Sequence, residues 1–510
     1  YDQRDLVINV TGKVVRIDVF SSITRVLILL SSIYLLWTVL PHQWVEPGGY
    51  VFDPVVTVVF SAIVGGAIAK VLSLPPLVGV LWSSLLWGNL PGGLTKGTLL
   101  QVKGAMRNFG LSIVLLRAGL SFNIKLVRPF LAAAVLTIIV PCIVESFVAG
   151  MIASATFGVD FLPGLMIGCV QGPASAAAIV PPVLKVQADG YSTKGGPGVL
   201  LSSTAAMDSV VGVFMISLVS GLLVEPHTSF GLSLGLAPVQ IIVGFLIGGI
   251  SGYLIVFIVG KMYEKIEVSK SKARAAGDKK KLAKVSGTEY LAKLKSKTLW
   301  LTLTLGVSIV FEGKAAHFPG AGSIACTVMG ATMAHLWIKD GDHDLEARKK
   351  ALYYDLGFLW DYAAMPMLFS MAGSNVNALE VFSGAFLGPA FACLAVGLVV
   401  RACLVFLFSV KAGFNAKERV YAAFGSLGKA TVQGAMGSVV FDAANELVKS
   451  SPPTGEEHDY ALTMVTLGQT VKTHAVFCIL VCGTIAPLFL SLAAPRLLTK
   501  DDDDSADPHA

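Results

Sequence analysis

Runs of about twenty nearly uncharged residues recur along this chain, and they restrict its fold more than any other feature. They fall near 23–40, 54–72, 75–90, 105–122, 129–156, 161–184, 197–223 and 236–260. Beyond a polar gap they resume near 297–312, 320–338, 352–372, 383–410, 417–446 and 461–494. Each run is about the length that carries a helix across a bilayer. Inside lipid every backbone polar group needs a partner within the protein, which admits only helices and closed barrels. The chain is 54% hydrophobic and 14% charged, whereas soluble domains carry about 25% charged residues. The expectation is an all-α polytopic membrane protein with about fourteen transmembrane helices, some of them tilted or half-spanning.

The polar gap at 261–297 holds 12 Lys/Arg against four acids, Glu264, Glu267, Asp278 and Glu289. Basic loops stay on the cytoplasmic side of a membrane. A cytoplasmic linker puts Lys125, Arg128, Lys185, Lys194, Lys339, Arg348, Lys349, Lys350, Lys411, Lys417 and Arg419 on that side too. The opposite loops hold only Lys96, Lys103, Lys314 and Lys449. Both termini are then cytoplasmic, and the Asn9-Val10-Thr11 sequon is accidental. The net charge of +6 resides in these loops and is not a nucleic-acid signal. The first residues carry no signal-peptide pattern. The seven cysteines all lie in apolar segments and read as small buried hydrophobes. No cofactor motif and no nucleophile–base set is present, so an enzyme is not expected.

Against this background, charges inside apolar segments stand out. Asp208 is the lone charge of the stretch Gly198–Leu223. A carboxylate at the centre of a spanning helix costs about 3 kcal/mol or more, and such residues bind or move something. Arg117, Glu145, Asp361, Arg401, Lys429 and Asp442 also lie in apolar runs. Arg117 and Asp361 lie near helix ends, where a charged side chain can reach the interface. Glu145 and Arg401 are deeper, opposite in sign and without a local partner, which points to a buried pair between the two halves. Backbone breakers occur in both halves: Gly172-Pro173 and Pro181-Pro182 in 161–184, Pro366 and Gly373 in 352–372. Interrupted helices in corresponding halves are a mark of transporters built from inverted repeats, with the ion site where they cross.

Several ordered stretches carry a family likeness. They are Leu111 to Leu120 around Arg117, Pro141-Cys142-Ile143-Val144-Glu145, Gln187 to Tyr191 followed by Leu200 to Asp208, Leu398 to Arg401, Ala412 to Glu418, Lys429 to Gln433, and Ala494 to Leu498. Together they resemble the cation/proton antiporter superfamily, most closely the NHA-type sodium/proton exchangers, over roughly 50–500. The resemblance implies a dimerisation domain and a mobile ion-binding core with two crossing broken helices. It also implies a homodimer and an elevator-like step. The implied order is a cytoplasmic N-terminal segment (1–22), an extra N-terminal helix (23–40) and a first membrane block with the ion-site helices (41–260). A basic cytoplasmic linker (261–297), a second membrane block (298–498) and an acidic cytoplasmic tail (499–510) follow. Glu145 and Arg401 match the family's buried ion pair, and Lys429 matches a basic residue at the helix crossing. Arg401 stands where electrogenic relatives carry lysine, which favours electroneutral exchange.

The chain departs from the pattern at the ion site. The family pattern has two adjacent aspartates, and here the sequence is Met207-Asp208-Ser209. An ungapped match puts Asp208 first and Ser209 second, while a one-residue shift puts Met207 first and Asp208 second. Gly172-Pro173-Ala174-Ser175 also matches the family's Ser-Pro pattern poorly. The expected activity is electroneutral antiport of Na⁺ or a similar monovalent cation against a proton. Asp208 binds either ion, while Ser209 and the carbonyls freed near Gly172 and Pro173 supply further oxygens. Two alternatives stay open: a sodium-coupled organic-anion symporter of the same fold, and a non-transporting relative.

Overall fold

The computed structural model describes residues 5–10, 13–18, 24, 27, 30–31, 34–35, 37–72, 74–91, 95, 97–122, 131–191, 196–224, 230–276, 288–316, 318–337, 343–452 and 454–500. The acidic run at 501–504, the centre of the basic linker, and Lys96, Lys125, Arg128, Lys194 and Lys339 lie outside the described residues. Parts of 23–40 do as well. An antiparallel hairpin, β1 (Asp5–Val10) and β2 (Lys13–Asp18), pairs Asn9 with Val14 near its turn. The remaining regular elements of the described chain are helices, joined by turns and short irregular stretches.

Helices α1 (Phe52–Val71), α2 (Pro76–Gly88), α3 (Leu100–Ser121) and α4 (Leu131–Phe157) open the membrane region. Helix α5 (Phe161–Gln171) stops at Gly172-Pro173, and α6 (Ala176–Ala188) starts three residues after Pro173. Proline supplies no N–H and clashes with the preceding turn, which ends the first half-helix there. Pro181 and Pro182, expected as a second interruption, lie within α6, which continues through both. Helix α7 (Pro197–Val224) carries Asp208. Helix α8 (Phe230–Ala275) extends far past its apolar run, so the linker expected from 261 begins as helix, and α9 (Thr288–Ala315) begins inside the same linker.

After α10 (Pro319–Trp337), α11 (His343–Leu359) passes through a π turn at Trp360–Ala364 into α12 (Met365–Gly373). The wider turn accommodates Pro366 without breaking the helix, so the interruption expected at Pro366 is absent. The second broken helix lies later. Helix α13 (Gly384–Phe408) is followed by α14 (Ala416–Gly425), an irregular stretch at 426–430, α15 (Thr431–Met436) and α16 (Val439–Ser450). Read from sequence, 417–446 is one apolar segment. The break comes from Ser426-Leu427-Gly428, which holds no proline and escaped notice for that reason. Helix α17 (Glu456–Leu497) continues through Pro487.

Eight helices among the described residues are long and apolar enough to span a bilayer. Two sets of mutual neighbours emerge. Helix α3 packs on α10, α10 on α8, and α2 on α12, while α4 packs on α5 and α13, and α17 on α6, α14 and α16. Lipid provides no hydrophobic drive for helix association, so close approach through small residues matters. At the α3–α10 contact a Cβ on Gly330 would lie 2.7 Å from the Leu116 carbonyl oxygen. Outward-facing Ile242, Phe245, Leu246 and Ile250 of α8 remain exposed, as residues facing lipid do.

Candidate functional site

The two breaks cross, and the crossing is knitted by polar groups that a continuous helix would not need. The Ser175 N–H donates to the Gly428 carbonyl at 2.8 Å. The Thr431 N–H donates to Ser175 Oγ at 3.0 Å, and the two hydroxyls lie 2.9 Å apart. Gln433 Nε2 donates to the carbonyls of Val170 (3.0 Å) and Pro173 (2.9 Å), which close the C-terminal end of α5.

Charges meet helix ends of opposite sign. A helix C-terminus carries partial negative charge and an N-terminus partial positive charge. The Gly172 carbonyl, at the C-terminal end of α5, accepts from Lys429 Nζ at 2.6 Å and Arg401 Nη1 at 2.8 Å. Arg401 Nε donates to the Ser426 carbonyl at 3.0 Å, at the end of α14. On the opposite side of the break, the Ala174 N–H at the start of α6 donates to Asp208 Oδ2 at 3.0 Å.

The side chains themselves form a buried network of two acids and two bases. Glu145 Oε2 accepts from Arg401 Nη1 at 3.1 Å and Lys429 Nζ at 2.8 Å. Arg401 Nη2 pairs directly with Asp208 Oδ2. All four residues are buried. Opposite formal charges balance, and each base also binds a backbone carbonyl, which offsets desolvation. Asp208 Oδ1 is different: it is buried and meets no nitrogen or oxygen donor among the described residues, although the Cys142 thiol lies close to the carboxylate. Asp208 lines a small cleft, with room for about one water molecule, together with Thr137, Ala174, Thr204, Arg401 and Ser426.

Each residue singled out from the sequence has a definite place here. Glu145, Arg401, Lys429 and Asp208 come together at the crossing. Ser209 points elsewhere: its hydroxyl donates to the carbonyls of Ala174 and Ala205, both at 3.0 Å, and it does not line the cleft. The freed carbonyls of Gly172 and Pro173 were expected to face a cation. They are engaged instead by Arg401, Lys429 and Gln433. Sequence reasoning missed the part played by Ser175, Thr431, Gln433 and Gln171, because neutral polar residues carry no signal in hydropathy. It also left out Arg107.

Arg107 of α3 pairs with Asp442 of α16 and so joins the two sets of helices. Lys103 Nζ donates to Asn375 Oδ1 at 3.1 Å. Lys472 Nζ lies 3.8 Å from the centroid of the Phe441 ring, within electrostatic range of Lys103, Arg107 and Asp442. Arg117 lies over the Tyr353 ring, 5.0 Å from its centroid, and Asp361 is exposed.

Broken helices that cross around a buried, charge-balanced network are a mark of membrane transporters. The sodium/hydrogen exchanger transmembrane family model matches 58–275 and 284–493, and the chain belongs to that family. It is 28% identical to human sodium/hydrogen exchanger 9B2 over 498 residues, covering 95% of this chain and 82% of that protein. The Xenopus tropicalis 9B2 exchanger is 27% identical over 490 residues, with 94% and 81% covered. Among solved structures, the sodium proton antiporter MjNhaP1 of Methanocaldococcus jannaschii aligns with a TM-score of 0.60 at 18% identity. That alignment covers 87% of this chain and 97% of MjNhaP1, and at this identity it speaks for the fold alone.

Proposed function

We propose that this chain exchanges Na⁺ or a similar monovalent cation for a proton, one for one, at Asp208. The observation that carries this reading is the state of that carboxylate. Oδ2 is held by Arg401 and the Ala174 N–H, while Oδ1 meets no nitrogen or oxygen donor among the described residues, only the nearby Cys142 thiol, in a residue that lines a cleft. A carboxylate oxygen so placed accepts a proton or a cation, not both at once, and that competition couples two fluxes. Hard cations favour oxygen ligands, and the hydroxyl-bearing residues Thr137 and Thr204 line the same cleft. Arginine does not release its proton in proteins, so Arg401 acts as a fixed counter-charge and exchange is electroneutral. Ser209 in place of a second carboxylate supports the same stoichiometry, because one acid offers one exchangeable charge.

Residues lining the cleft lie near the starts of α4 and α7. Counting crossings through α7 and α8 puts its mouth on the side of the basic linker. With that linker and both termini cytoplasmic, the cleft lies on the cytoplasmic side of Asp208. Transport then proceeds by an elevator-like movement of the helices around the crossing within a homodimer. The organic-anion alternative requires Arg401 and Lys429 to face substrate, and both are occupied by carboxylates and carbonyls.

Exchange measured in proteoliposomes with a panel of Na⁺, Li⁺ and K⁺ gradients tests the proposal. Asp208→Asn abolishes proton-coupled cation flux, and wild-type exchange by this variant overturns it. Competition further requires that the KM for the cation rise about tenfold per pH unit at the acid end. The maximal rate at saturating cation is unchanged.

A further inference from the structure

Glu145 has a second oxygen, and its surroundings extend the network beyond the four charged side chains. Gln171, the last residue of α5, sends Nε2 to the Cys393 carbonyl of α13 at 3.1 Å and to Glu145 Oε1 at 3.4 Å. Neither group can donate, so the amide nitrogen belongs on that side and Gln171 Oε1 faces the other way. There it lies 3.0 Å from His474 Nε2 of α17. An amide oxygen only accepts, which makes His474 Nε2 the donor and fixes the proton on that nitrogen. Gln171, His474 and Glu145 are all fully buried. The space for this chain of contacts is left by α13, where a Cβ on Gly397 would collide with Gln171 Nε2 and lie 3.3 Å from Glu145 Cγ.

We propose that Gln171 and His474 are positioning residues that set how tightly Arg401 holds Asp208. This inference rests on the reading of Asp208 as the exchange site. Gln171 steadies Oε1 of Glu145, which leaves Oε2 aimed at Arg401 and Lys429. Arg401 is shared between Glu145 and Asp208. When Glu145 loosens its hold, the guanidinium moves toward Asp208 and competes with the arriving cation. The helix that carries His474 thus acts on cation affinity without touching the cation.

Exchange kinetics in proteoliposomes test this through the separation of KM from maximal rate. His474→Phe removes the donor and raises the cation KM about fivefold, the effect of one lost hydrogen bond, with little change in maximal rate. His474→Gln can still donate to Gln171 Oε1 and restores the wild-type KM. Gly397→Ala pushes on the same pair from α13 and raises KM without altering any polar group. A purely structural role lowers thermal stability and yield in detergent while KM stays fixed, and that result overturns the proposal. Identical KM values for the Phe and Gln variants overturn it as well. Where His474→Phe does not fold, Gln171→Met breaks the contact from the other end and the same KM criterion applies. If Asp208→Asn is inactive while every one of these variants keeps the wild-type KM, this inference fails and the exchange site stands.

Discussion

The two buried charge clusters of this molecule obey different rules. At the crossing, Asp208 and Glu145 face Arg401 and Lys429, two acids against two bases, and backbone carbonyls absorb the remaining donors. Between α3, α16 and α17, the buried bases Lys103, Arg107 and Lys472 gather around the partly buried carboxylate of Asp442, with Asp53 within electrostatic range of Lys103 and Glu380 within range of Lys472. Here Arg107 Nη1 and Asp442 Oδ1 are both buried without hydrogen-bond partners among the described residues, so the pair is held at one point. The first cluster is balanced, and one oxygen of one of its two acids, Asp208 Oδ1, meets no nitrogen or oxygen donor among the described residues. The second crowds like charges together and ties one set of helices to the other through Arg107 and Asp442. Burial of charge therefore does not identify an ion site by itself: sign balance, helix ends and a free acceptor do.

Breaking the balanced cluster has the largest effect. Arg401→Ala leaves Asp208 and Glu145 without their shared counter-charge. It is expected to remove exchange and lower stability by roughly 3–5 kcal/mol, read from thermal unfolding in detergent together with flux. Asp442→Asn comes next. It removes the carboxylate that pairs with Arg107 and is expected to cost about 2 kcal/mol in the same unfolding assay. If that cluster is only a tie between helices, the cation KM of this variant is unchanged. Ser209→Ala is smaller again. It loses a hydroxyl bonded to the Ala174 carbonyl, about 1 kcal/mol, and exchange persists, because the hydroxyl does not face the cleft. Loss of cation affinity in Ser209→Ala would return that residue to the cation site. The sharpest contrast has the smallest effect. Lys472→Met relieves like-charge crowding and is expected to be neutral or to stabilise by about 1 kcal/mol, whereas Lys429→Met destabilises. Equal losses in the two variants would erase the distinction between the clusters.

Much of this was legible from residue order. Long apolar runs set the helical class, because lipid leaves the backbone no other partner. Asp208, Glu145, Arg401 and Lys429 were visible as charges where charge is expensive. The first break was visible as Gly172-Pro173. The second was not, because 426–430 has no proline and its irregular backbone is held by Ser175, Arg401 and neighbouring chain from far away in sequence. Pro366 misled for the converse reason: a π turn absorbs it locally.

The sequence by itself determined a helical membrane protein of the exchanger type, with an isolated acid at its centre, flanked by Met207 and Ser209 where the family pattern has two adjacent acids. Only the tertiary structure decided what that acid touches. Arg401 lies 193 residues from Asp208 and 256 from Glu145, and it reaches both because two broken helices cross beside it. Hydropathy is a property of each residue and its near neighbours, so it shows where charge is costly. Which oxygen is held and which is free depends on distances between segments that meet only in the folded protein.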